Sequence, residues 1–353
     1  MNIFTETPYE ELWRTLLHYS YQSNLERYFA NHSIVYTQDE IETISSSILQ
    51  AKEYYDAATV TSLNISPLLL YYGTTNLLNA LFVLLYGKSP VISGHGMTPQ
   101  YHDTDQLIGD TIIHFNNQSE GGFHVFYKLF NTTNNLCNQN DWSLKELIGS
   151  IKEVYQEFVS CYGTHDLHVI PIHICRGGTG EFIRIDSVTD LNIESFLTEI
   201  PEYSKNYFPP ERSQKKQLII RKKLNGTDLY SSSISGQPFF SKNHHKNGQT
   251  IVMPELFYYY AALFALSSMC RYNPNKWNPF VLKDNSGERL IIEKFLKYSK
   301  RIIPNLVLNR IRDENIVFSN EKYHIEDISK PINEHTIKEL ITEEINKQER
   351  RQY

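Results

Sequence analysis

Apolar residues recur at helical spacing through the first quarter of the chain. Leu12, Leu16, Tyr19 and Phe29 fall near one stripe, with Trp13 beside it, and Thr7-Pro8 followed by Glu10 and Glu11 supplies a start for a helix over 7–30. Ile41, Ile44, Ile48 and Tyr55 predict a second helix, from Thr37 or Asp39 to Ala58. A third opens at Ser66-Pro67, where a proline in the first turn loses no hydrogen bond, and closes before Gly87. The middle changes character. Residues 93–130 are rich in Gly, His, Asn and aromatics, with strand-like pieces at 111–115 and 123–130. Residues 143–162 return to helical spacing through Leu144, Leu147, Ile148, Ile151, Val154, Tyr155 and Phe158. Residues 167–175 and 181–186 then read as a hairpin around Gly177-Gly178-Thr179-Gly180. A further strand is predicted at 217–223, and the proline- and aromatic-rich stretch 201–212 reads as a connecting loop.

The last third is helical again. A helix runs from Met253-Pro254-Glu255 to about Tyr272, stopped by Asn273-Pro274, and amphipathic helices follow at 286–301 and 304–312. Residues 334–353 form a highly charged helix or a frayed tail. The pattern predicts a mainly helical α+β fold. Its expected parts are an N-terminal helical segment (1–92), a β-rich middle with one helix (93–250) and a C-terminal helical segment (251–353) packed on the first as one structural unit.

Composition adds two constraints. Tyr occurs 24 times, and a phenol packs its ring while its hydroxyl seeks a partner, so interiors with polar seams are expected. The net charge of -6 excludes a polyanion binder that uses its whole surface, while a local basic patch stays open. Cys137, Cys161, Cys175 and Cys270 contain no C-x-x-C pair, which points to reduced thiols rather than a zinc site or disulfide framework. The first residues lack a signal-peptide pattern. Residues 57–87 carry no Asp, Glu, Lys or Arg, but Pro67, Gly73, Asn76 and Asn79 interrupt them, so a helix buried in protein is expected rather than a membrane span. Cytoplasmic location and no membrane partner follow as expectations.

Two blocks carry a resemblance. One is Ser66-Pro67-Leu68-Leu69-Leu70-Tyr71-Tyr72-Gly73, continuing through Asn76 to Ala80. The other runs from Pro254-Glu255-Leu256-Phe257-Tyr258-Tyr259-Tyr260 to Ser267-Ser268-Met269-Cys270-Arg271-Tyr272 and Trp277. With the early Trp13 helix, their order and spacing resemble the YaaC-like family of bacterial proteins. The resemblance implies a bacterial cytoplasmic protein and brings no established activity, so no catalytic residue is carried over from it. Physically, Gly73 and Ala80 in one block and Ala261, Ala262 and Ala265 in the other allow two helices to approach closely, with Tyr rings filling the gap. Tyr71, Tyr72, Asn76 and Glu255 would then form a structural polar core. Arg271 would either pair there with Glu255 or a carbonyl, or face a pocket and bind an anion.

The chemistry-bearing residues support several readings. His95, His102, His114, His124, His165, His168 and His173, with Asp103 and Asp166, would suit a metal-dependent hydrolase, but no H-E-x-x-H or comparable spacing occurs. The Gly177–Gly180 turn lacks the Lys-Ser/Thr of a phosphate loop. The basic run Arg212, Lys215, Lys216, Arg221, Lys222 and Lys223, with Tyr203, Tyr207 and Phe208 upstream, could contact nucleic acid through phosphates and stacked bases, or be a strand edge guarded by cations. No His follows Arg271 at the spacing of HEPN-type ribonucleases. No metal or cofactor is assigned, and whether the chain is an enzyme stays open. The leading expectation is a non-catalytic binding or scaffold component of a bacterial assembly, with stress response or anti-mobile-element defence as its context and a protein partner or homo-oligomer. A nucleic-acid-binding protein or nuclease is the first alternative.

Overall fold

The computed structural model describes residues 1–101, 107–116, 120–130, 141–177, 180–186, 191–212, 217–246 and 248–319. The chain enters through β1 (Asn2–Phe4), α1 (Pro8–Leu17), α2 (Gln22–His32), α3 (Gln38–Val60) and α4 (Ser66–Tyr86). The helix predicted over 7–30 is interrupted. Tyr21 is extended, and the Asn24 side chain donates to the His18 carbonyl while Ser20 Oγ donates to Leu17 O, so polar side chains take over carbonyls that a continuous helix would use. α3 starts in a capping box, with the Glu40 side chain accepting from the Thr37 backbone N–H, and α4 ends on Gly87 in the left-handed conformation.

The middle carries β2 (Met97–Gln100), β3 (Ile112–Phe115), α5 (Gly122–Tyr127), β4 (Asp141–Ser143), α6 (Leu144–Ile148) and α7 (Tyr155–Tyr162). After these come β5 (Val169–Pro171), β6 (His173–Gly177), β7 (Gly180–Ile185), α8 (Ile193–Thr198), α9 (Tyr203–Asn206), β8 (Glu211–Arg212) and β9 (Leu218–Ile220). The run 123–130, expected as a strand, is helical: Phe123, Phe126, Tyr127 and Phe130 are spaced i, i+3, i+4, i+7, and Phe123, Tyr127 and Phe130 meet Phe257. The helix expected over 143–162 breaks at Gly149, where the returning chain crosses so closely that a Cβ would lie 2.2 Å from the Asp166 carbonyl oxygen. The strand expected over 167–175 divides between two sheets. β5 pairs with a later strand, β11, whereas β6 forms the Gly-rich hairpin with β7. The loop expected over 201–212 contains α9 and β8.

β10 (Ser231–Ser232), β11 (Pro238–Ser241), β12 (His244–Lys246) and β13 (Gln249–Ile251) lead into α10 (Glu255–Tyr272), α11 (Pro274–Lys283), α12 (Glu288–Arg312) and β14 (Val317–Ser319). α12 replaces the two helices expected at 286–301 and 304–312. Pro304 lies inside it without breaking it, because Ile302, Ile303, Val307 and Leu308 bury the same stretch in the core. β14 pairs in parallel with β1, joining the start of the chain to the end of α12. The charged stretch 334–353 and Cys137 lie outside the described residues; the three other cysteines are free.

α4 packs against α3, α10 and α12. It is the one helix among the described residues long and apolar enough to cross a membrane, and much of it is buried inside the fold. Towards α10, Tyr71 stacks on Tyr260 with ring centroids 5.3 Å apart, and the Tyr260 hydroxyl lies 3.4 Å from that of Tyr71 and 3.3 Å from Thr75 Oγ1. Gly73 faces α3 rather than α10: a Cβ there would lie 2.7 Å from the Tyr55 ring, whose hydroxyl meets Thr74 Oγ1 at 2.9 Å. Tyrosines thus fill space and find partners on both the α3 and the α10 side of α4.

Candidate functional site

Glu255 opens α10, and Lys152 lies between α6 and α7, where Gly149 turns the chain. Their side chains meet at 3.1 Å, and the Lys152 ammonium also donates to Ser231 Oγ at 3.2 Å. Lys152 is almost fully buried, whereas a third of the Glu255 side chain is exposed. A buried ammonium is costly unless paired, so this contact ties the middle of the chain to the last third. Beside it, Glu153 accepts from the Tyr259 hydroxyl at 2.8 Å and from the Ile234 backbone N–H at 3.1 Å. Burial, and then the nearby Glu255 charge, raise the Glu153 pKa.

Lys152, Ser231 and Glu255 form a wall shared by two cavities. The smaller, about 290 Å³, is also lined by Ser150, His168, Lys242, Met253 and Tyr258. His168 stacks on His244 with centroids 3.6 Å apart, and His168 Nδ1 is buried without a partner. Burial holds both imidazoles neutral, pushing His168 down to about 3 and His244 well below its ordinary value, with the His168 ring and nearby lysines adding to the effect on His244. Ser150 Oγ lies 2.9 Å from His244 Nε2 and 3.0 Å from the Glu146 carbonyl. The pair resembles a nucleophile and its base in distance alone. Among the described residues no carboxylate lies within hydrogen-bonding reach of the His244 ring, and a depressed imidazole is a poor general base.

The larger cavity, about 720 Å³, lies between α12 and the Ser231–Ser235 loop. Arg301, Asn305 and Asn309 succeed one another at four-residue intervals and therefore share one face of α12. Asn305 Nδ2 donates to the Ile316 carbonyl at 2.8 Å, and Asn309 Oδ1 accepts from the Ile316 N–H at 3.0 Å, which fastens β14 along the cavity. Arg301 donates through Nη2 to the Phe318 carbonyl, while its Nε is buried without a partner. Burial lowers its pKa.

The residues singled out in the sequence are placed differently. Tyr71 is buried in the α4–α10 seam, its hydroxyl 2.8 Å from His95 Nδ1. Tyr72 accepts from Arg271 Nη1 at 2.7 Å, and the Arg271 guanidinium lies over the Tyr72 and Tyr272 rings. Arg271 is far along α10 from Glu255, so those two do not pair. Asn76 sits half-buried on the α3 side, donating to Gln50 Oε1 at 2.8 Å. On the basic strand edge, Arg212 pairs with Glu194 at 2.9 Å, Arg221 with Glu211 at 2.8 Å and Lys222 with Asp228 at 2.8 Å, while Lys223 donates to the Ser204 carbonyl. Lys215 and Lys216 lie outside the described residues, and so do His102 and Asp103. Tyr203 and Tyr207 are buried beside Phe240. The described histidines disperse: His114 meets Asp141, His173 meets Asp186 and His165 meets Asp166. Among the described residues no three His, Cys, Asp or Glu groups are placed to hold a metal ion.

Sequence reasoning missed Lys152 and Arg301. Lys152 and Arg301 did leave a signal, since each puts a cation among residues of apolar spacing. The chain matches the family described as YaaC-like Protein over residues 7–311. Neither a curated protein nor a solved structure matches it.

Proposed function

The chain belongs to the YaaC-like family, and from that premise we propose that it works as a binding protein for a small polar molecule held at the Lys152–Glu255 wall. One observation carries the reading: two cavities of about 290 and 720 Å³ share a wall of paired, half-hidden charges. Ligand pockets commonly enclose roughly 300–1,000 Å³ with a few polar groups set among apolar ones. Binding is favoured over hydrolysis because the Ser150–His244 contact lacks an orienting carboxylate and burial weakens its imidazole as a base.

The test is a thermal-denaturation screen of the full chain against small polar metabolites, repeated with S231W, which puts an indole on the wall that both cavities share. By mass action a ligand at a hundred times its Kd adds about 2.7 kcal/mol, a rise in Tm of several degrees. A compound that stabilises the parent protein and not S231W supports the reading; stabilisation of both proteins alike moves binding elsewhere, and a flat screen ends it. The same proposal makes the chain a non-catalytic part of a larger assembly, meeting a protein partner or a second copy. Size-exclusion chromatography with light scattering reads that part, and a strict monomer with no co-purifying protein would remove it.

A further inference from the structure

We infer that the larger cavity is a site for an organic phosphate of nucleoside-monophosphate size, with Arg301 as its anion-binding residue; this rests on the binding role proposed above. The first ground is charge. Lys152 and Glu255 neutralise each other, and Glu153 is engaged by the Tyr259 hydroxyl and the Ile234 N–H. Arg301 alone among these charged groups has no opposite charge: among the described residues no carboxylate lies within 4.0 Å of its guanidinium, and one backbone carbonyl is its only acceptor. A half-buried guanidinium with five donors and a single acceptor is expensive to keep. Arg301 lines the cavity, and a planar donor fork suits phosphate oxygens, which can accept two of its N–H groups together once the side chain turns to them.

The second ground is the lining. Asn305 and Asn309 are occupied in gripping the chain at Ile316, so they set the cavity's shape rather than bind an anion. Across from α12, Ser231, Ser232, Ser233 and Ser235 line the cavity with hydroxyls, and the Ser233 N–H to Gln237 and Gly236 N–H to Ser233 bonds fix their loop. Hydroxyls that donate as well as accept can serve phosphate oxygens or a ribose. The third ground is size. A cavity of 720 Å³ far exceeds an inorganic ion, and Phe4, Ile302, Leu306 and Val317 give it an apolar side on which a ring can lie.

Isothermal titration of the full chain at low salt with AMP, adenosine and inorganic phosphate separates the possibilities. AMP is expected to bind at least about tenfold more tightly than adenosine, with R301M losing at least about tenfold in AMP affinity and R301K recovering part of it. R301M should unfold at a temperature no lower than the parent, because it removes a half-buried charge that has no carboxylate partner among the described residues. Should R301M fail to fold, S232Y fills the opposite wall and must abolish AMP binding by itself. Equal affinity for AMP and adenosine, or AMP binding unchanged in R301M or S232Y, overturns the phosphate assignment and leaves the binding role standing. Failure of all three probes also overturns the assignment, and the metabolite screen then judges the binding role alone.

Discussion

The seam between α4 and α10 and the wall between the two cavities both put polar groups inside an apolar body, but they end differently. In the seam the phenols of Tyr71, Tyr72 and Tyr260 meet His95, Arg271, Thr75 or one another, and on the α3 side of α4 Tyr55 meets Thr74, so each of these hydroxyls is satisfied within the fold. At the wall, charges are paired, while His168 Nδ1 and Arg301 Nε, on residues that line the cavities, are buried without a partner. Arg271 is intermediate, with Nη2 buried and unpartnered but the guanidinium lying over two tyrosine rings. A polar seam that closes on itself fixes helices, whereas one with spare donors beside empty volume has capacity for a ligand.

If that distinction holds, substitutions in the seam should cost stability and those at the wall should cost binding. Tyr260 is fully buried against Tyr71 and Phe123, so Y260A is expected to lose about 3–5 kcal/mol in urea unfolding. Y260F keeps the ring, and about 1 kcal/mol is expected for the hydroxyl alone. A Y260A protein as stable as the parent would show that the seam is not the brace of the fold. Next in size, E255Q strands the buried Lys152 ammonium and should cost about 2–3 kcal/mol, while K152M/E255Q should recover much of that loss. Additive losses in the double variant would mean that the two charges stabilise the protein independently.

Acid sharpens the comparison further. The fold favours neutral His168, so the unfolded chain takes up that proton first as pH falls. The contribution is complete above about pH 6.5 and is lost progressively as pH falls toward about 3, with about 2 kcal/mol gone by pH 5. Glu153 works in the opposite sense, since its raised pKa adds stability at low pH that is lost as pH rises through it. H168F should therefore flatten the acid side of a stability–pH profile between about pH 7 and 5 by roughly that amount. An unchanged profile would show that His168 is solvated and the smaller cavity wet.

Much of the helical frame was legible because burial imposes a period. α3 and α4 carry their starts and stops in Thr37, Pro67 and Gly87, and α10 carries its end in Asn273-Pro274. Failures came where tertiary contacts override local pattern. Gly149 breaks a helix because Asp166 crosses it, a fact of long-range packing, and Pro304 stays helical because the core holds both sides. The aromatic run from Phe123 was misread although its i, i+3, i+4, i+7 spacing was present, since β-propensity outweighed period. The site was the least legible part. Lys152, Ser231, Glu255 and Arg301 are separated by long stretches of chain, and only folding shows that they surround common volume.

The smallest expected effect lies on the basic strand edge, and it could still overturn the ranking of regions. Arg212, Arg221 and Lys222 each hold a carboxylate at the surface, an arrangement in which a pair contributes about 0–1 kcal/mol and salt weakens it. Reversing Lys215, Lys216 and Lys222 to Glu should therefore change stability by less than about 1 kcal/mol. Nucleic-acid binding at this edge would demand more, because phosphates must displace three carboxylates, and Tyr203 and Tyr207 would have to leave the core to stack bases. Fluorescence anisotropy with single-stranded RNA and DNA is expected to show little binding at about 0.15 M salt, and no change on charge reversal. Tight binding that falls steeply with salt and vanishes in the reversed protein would instead make the surface pairs a latch opened by phosphate, and would move the working face of the molecule from the cavities to the sheet.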